Sequence, residues 1–83
     1  MRWRARVVVT LKPGVLDPQG EATRKALNGV GFAGVEDVRV GKFLEVELEA
    51  ASREAAEEMI GEMSRRLLAN PVLEEFRYEL GSR

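Results

Sequence analysis

Two residue types are missing altogether: among 83 residues there is no cysteine and no histidine. Without cysteine the chain has no disulfide, no thiolate nucleophile and no zinc–thiolate site; without histidine it loses the usual general base and the commonest metal ligand. Carboxylate and lysine chemistry remain, but those residues are not grouped at catalytic spacing. No long apolar run and no signal-type N-terminus occurs, so the chain reads as soluble and cytoplasmic, with no membrane partner. There is also no excess of charge of one sign. A net charge of -1, with 33% charged residues, argues against general electrostatic binding to nucleic acid or to an anionic membrane. The length allows one domain with a single small core, spanning 1–83, and is too short for a deep enclosed active site. A function that needs a large pocket must therefore borrow it from a partner.

Against these absences, the stretch 11–20 (Leu-Lys-Pro-Gly-Val-Leu-Asp-Pro-Gln-Gly) concentrates two prolines and two glycines in one connection. Its end is explained by helix initiation. Asp17 is placed to cap orphan amides, and Pro18 sits at the first helical position, where a missing N–H costs nothing. The remainder, Leu11 to Leu16, is apolar apart from Lys12 and stiffened by Pro13, which suits a surface that another chain covers.

Around this loop the periodicities alternate. Trp3, Ala5, Val7, Val9 and Leu11 recur at period two opposite Arg2, Arg4 and Arg6, the pattern of a half-buried strand. Ala22, Ala26, Leu27 and Val30 fall on one side of a helix that Gly29 and Gly31 stop. Val35, Val38 and Val40 suggest a second strand turned by Gly41-Lys42 into a third, where Leu44, Val46 and Leu48 alternate with Glu45, Glu47 and Glu49. A two-residue turn there would set the two apolar sets on opposite faces, so a bulge or a three-residue loop is expected. Ser52 caps a second helix with the stripe Ala56, Met59, Ile60, Met63 and Leu67, which Asn70-Pro71 ends, Asn70 tolerating the left-handed position. A fourth strand covers 73–80, and 81–83 reads as a frayed tail.

The order β-α-β-β-α-β is that of a ferredoxin-like α+β two-layer sandwich: a four-stranded antiparallel sheet with both helices on one face. Its usual strand arrangement sets the first strand between the third and fourth. Arg2, Arg4 and Arg6 should then share the outer face with Glu45, Glu47 and Glu49 on one side and with Glu75 and Glu79 on the other. An RNA platform on that face would need exposed aromatics on the central strands. Phe43, the one aromatic that could point outward, fits a subunit contact better. Gly41-Lys42 lacks the flanking glycines of a phosphate loop and reads as a turn. Lys12 and Lys42 could still hold an anion at a subunit boundary. The Met59-Ile60-Met63 stripe reads as core packing, and the glutamates on a flat strand face read as solvated.

Three blocks of this sequence resemble the PurS family, the small subunit of phosphoribosylformylglycinamidine (FGAM) synthase: the loop 11–20, the segment 35–42 (Val-Glu-Asp-Val-Arg-Val-Gly-Lys), and 67–72 (Leu-Leu-Ala-Asn-Pro-Val). The first and third are the more specific, because secondary structure alone does not demand them. The resemblance implies a non-catalytic subunit of an ATP-dependent C–N ligase complex in purine biosynthesis that uses glutamine as amide donor. It implies a homodimer or higher oligomer that bridges a glutaminase, PurQ, and a synthetase, PurL, and assists ammonia passage between them. It also implies no cofactor on this chain, with ATP and magnesium used through PurL. On this reading the partner contacts fall on Lys12, Pro13, Gly14, Val15, Leu16 and Asp17, with Arg39, Gly41, Lys42, Asn70 and Pro71. Two other classes remain open on the residues alone: a dimeric amino-acid-binding regulatory module and an RNA-binding module.

Overall fold

The computed structural model describes residues 1–82. Strand β1 (Arg2–Leu11) leads to helix α1 (Pro18–Gly29), strand β2 (Lys42–Glu49), helix α2 (Arg53–Met63), a π-helical turn (Ser64–Leu68) and strand β3 (Glu74–Ser82). The sheet is antiparallel in the order β2-β1-β3, so the first strand is central as expected.

The sheet therefore has three strands where four were expected. Residues 35–40 join no ladder among the described residues. Their backbone is engaged otherwise, since the Val40 amide donates to Asp17 rather than to a neighbouring strand. With that strand gone there is no hairpin at Gly41-Lys42, and the register conflict that called for a bulge disappears. β3 in turn runs further than expected. Gly81 pairs with Arg4 and Ser82 with Trp3, so two of the three residues assigned to a frayed tail belong to the sheet; Arg83 lies outside the described residues.

Alternation along β1 decides the core. Trp3, Ala5, Val7 and Val9 are buried on the inner face, where Ile60 and Ala56 of α2 close on them. Ser52 caps α2 by accepting from the Ala55 amide at 3.1 Å, and Trp3 donates to the Ala50 carbonyl at 3.4 Å, with Arg53 over its ring at 5.6 Å. On the outer face the expected charge ladder is present on one side. Arg4 pairs with Glu47 at 2.8 Å, Arg6 with Glu45 at 3.5 Å and Arg2 with Glu49 at 4.0 Å. On the other side Glu79 lies opposite Arg6, but Glu75 faces Thr10 instead of an arginine. Phe43 points outward, opposite Val8, and is 60% exposed.

The helices depart further from expectation. Helix α2 holds Ala56 and Ile60 in the core, with Met63 packed against it, but Met59 and Leu67 of the same stripe are exposed. The turn Ser64–Leu68 is the reason for Leu67: a π turn adds a residue to the repeat and rotates the stripe off the core. Helix α1 does not lie on the sheet beside α2; it packs extensively on no other element among the described residues, and Ala22, Ala26 and Val30 are exposed. The chain is accordingly drawn out to 50 × 27 × 14 Å with a radius of gyration of 16.3 Å, against about 12 Å for a compact domain of this length. One sheet face covered by one helix, with a second helix standing off as an arm, is the observed architecture.

Candidate functional site: the junction at one end of the sheet

The residues singled out in the sequence meet at one end of the sheet, where three chain segments cross. Loop 12–17 leaves β1, connection 30–41 returns from α1, and turn 69–73 enters β3. The Lys12 amide donates to the Leu73 carbonyl at 2.8 Å, and its ammonium reaches the Pro71 carbonyl at 2.7 Å. Loop and turn are thus tied through backbone and side chain of one residue. Gly14, at φ +87°, supplies the left-handed position that lets the chain reverse, with the Val15 amide closing on the Lys12 carbonyl at 3.1 Å.

Two side chains lock the arm onto this loop. Asp17 caps α1 as expected, with one carboxylate oxygen accepting from the Gly20 amide at 2.9 Å. Its other oxygen accepts from Val40 at 2.8 Å, which closes the far end of the α1 excursion back on its start. Arg39 adds a second closure: its guanidinium donates to the carbonyls of Leu11 at 2.9 Å, Lys12 at 3.1 Å and Val15 at 3.4 Å. A planar fork with several donors fits three converging carbonyls, which an ammonium would not. Lys42 reaches across to the Leu68 carbonyl at 3.0 Å. The two lysines considered as an anion pair therefore spend their charge on carbonyl oxygens of separate segments.

Asn70 plays a different part from the one expected. Among the described residues none other than glycine has a positive φ. Instead its side-chain oxygen accepts from the Val72 amide at 3.0 Å, forming an Asx-type turn, and its own amide donates to Glu74 at 2.7 Å. Pro13, Gly14 and Leu16 are exposed at the rim, as is Pro71. Sequence reasoning missed Gly20. A Cβ there would run into the Val38 carbonyl oxygen, and one at Gly41 into the Val9 carbonyl oxygen. A glycine in the first turn of a helix, three residues after its capping aspartate, is a signal that could have found the first of these.

Electrostatically the junction is built around Asp17. The Val40 amide, then the Gly20 amide and then the Arg39 charge hold its carboxyl below the usual carboxylate range, against the opposing effect of burial. A group depressed on folding adds stability that is present above its unfolded pKa, about 4, and is lost as pH falls through the folded value. Acidification below about pH 4 is thus expected to loosen the junction. Hydrogen exchange read at Val40 and Gly20 checks this: protection of both amides should fall with pH in the parent. In Asp17→Asn it should be low and flat across the same range.

The junction holds no acid–base pair or nucleophile poised on a substrate, and among the described residues no group of three or more acidic ligands converges on a metal site. Its geometry orders backbone and presents a shaped rim. Chemically, it can recognise a surface and do no more.

Comparison with known proteins agrees with that geometry. The family model described as "PurS: Phosphoribosylformylglycinamidine (FGAM) synthase" matches residues 4–82. The FGAM synthase subunit PurS of Archaeoglobus fulgidus is 50% identical over 72 residues, covering 87% of this chain and 90% of that protein. The Bacillus subtilis subunit is 42% identical, covering 94% and 92%. Among solved structures, Thermus thermophilus PurS superposes with a TM-score of 0.88 at 43% identity, over 100% of this chain and 99% of the other. A chain of the Thermotoga maritima PurLQS structure superposes at 0.89 and 30% identity, over 98% and 99%.

Proposed function

The chain belongs to the PurS family of FGAM synthase subunits, and from that premise we propose that it is the non-catalytic subunit bridging a PurQ-type glutaminase and a PurL-type synthetase. The family sets it in purine biosynthesis; neither the amino-acid-binding module nor the RNA-binding module finds support among its relatives. In this reading it self-associates as a homodimer in the cytoplasm, and the synthetase partner uses ATP and magnesium. The single observation that carries the bridging role is the junction itself: three segments cross-tied by Lys12, Asp17, Arg39 and Lys42 around a rim with no reactive group. Such rigidity serves binding, because a surface ordered in advance loses little conformational freedom on association. Partner contacts are assigned to Pro13, Gly14, Val15 and Leu16 on the loop, to Gly41, and to Asn70 and Pro71 on the turn. The assembly would pass ammonia between active sites shielded from water.

Co-migration on a sizing column with the synthetase and glutaminase subunits, in glutamine, ATP and magnesium, tests the reading. One complex containing all three chains is the expected result. A chain that elutes apart from both partners under every condition overturns it.

A further inference from the structure

Helix α1 carries an apolar ridge with nothing on it, and the sheet carries an apolar groove with nothing in it. On the arm, Ala22, Ala26 and Val30 stand one turn apart and are exposed, and Leu16 and Phe32 at its two ends are 78% and 59% exposed. Beside α2, over β2, lies an open trough floored by Val46 and Met63 and flanked by Met59 and Leu67. Its two connected parts measure about 440 and 390 Å³. Val46 and its β2 neighbours Leu44 and Leu48 are only half-buried, because α2 alone covers their face.

We infer that the trough is filled by helix α1 of a second copy of this chain, and that the exchange is reciprocal. Four observations on the molecule support that occupant. The trough lies where the two-helix sandwich would seat this very helix, so the shape required is one the sequence already supplies. The lengths match: α1 has 12 residues and α2 has 11. The charges are complementary, with Lys25 exposed beside the ridge and Glu58 and Glu62 one turn apart on the trough's rim. Finally, the Asp17 and Arg39 closures hold the arm away from its own sheet, so the place is left open to another molecule. Exchange of an identical element between protomers is a low-cost route to a dimer. Contacts made between chains then replace those that the arm forgoes within one.

The inference rests on the self-association proposed above, and the absence of native cysteine makes the two separable. An Ala26→Cys chain and a Met59→Cys chain, both changed at exposed positions, are mixed, unfolded, refolded together and mildly oxidised. Light scattering on the parent should give a dimer, and the mixture should yield mainly the disulfide joining the two different chains. A parent dimer that yields no such mixed disulfide overturns the exchange and leaves self-association standing. A parent that scatters as a monomer overturns both. In the double variant Ala26→Cys/Met59→Cys, oxidised when dilute, a disulfide within one chain shows the helix closed on its own sheet and also overturns the exchange.

Discussion

Replacing Gly20 by alanine should destabilise the protein by about 1–3 kcal/mol, although alanine is the better helix former. Propensity alone gives the opposite sign, a gain of about 0.5–1 kcal/mol for alanine over glycine inside a helix. What reverses it is space. The added methyl would overlap the Val38 carbonyl oxygen, and the next nearest atoms are Asp17 Oδ2 at 2.8 Å and its Cγ at 2.9 Å. The obstacle is backbone, and the adjoining side chain is itself fixed by two amides. Either connection 30–41 must lift or the Asp17 carboxylate must leave both donors. The same helix supplies the control, because a Cβ at Gly29 meets nothing within 4 Å. Gly29→Ala should therefore follow propensity and stabilise slightly. Urea denaturation of the two variants decides the matter. Equal effects of the same sign would mean that the approach of 38–40 to α1 is not maintained in solution.

The contrast between those two glycines shows where sequence reading succeeds and where it stops. Strand β1, the Asp17-Pro18 start, the Ser52 cap and the arginine–glutamate ladder were legible because each is a local signal: a period of two, a cap three residues from its amide, facing charges in register. Residues 35–40 misled for the same reason. Alternating valines look alike whether a strand pairs or not, and what unpairs this one is a carboxylate 23 positions earlier in the chain. Leu67 fits a helical stripe on paper, but the π turn that rotates it outward depends on packing, which no local pattern encodes. Most informative is α1. Its apolar face was read correctly as a face that must be covered. The assumption that failed was that its own sheet would cover it. Periodicity identifies a sticky surface and is silent on which molecule it meets.

The candidate site was legible to a similar depth. All the residues singled out from the loop, the valine segment and the Asn-Pro turn gather at one end of the sheet, yet nothing in their spacing foretold the Arg39 fork or the double duty of Asp17. Arg39→Ala should accordingly separate the junction from the core. The side chain is exposed and its three acceptors are loop or strand-end carbonyls. The thermal midpoint should move little, since changes away from buried groups usually fall within about 0.5 kcal/mol. Assembly with the synthetase and glutaminase partners should instead weaken tenfold or more, a loss of about 1.4 kcal/mol. Arg39→Lys should recover only a small part of that, because a point charge cannot serve three carbonyls at once. Turnover then distinguishes two ways of working. If the chain's task is to join two active sites for ammonia passage, glutamine-dependent FGAM synthesis should fall with assembly while turnover on added ammonia persists. If Arg39→Ala abolishes both, the subunit is completing the synthetase itself, and a pure passage role is overturned.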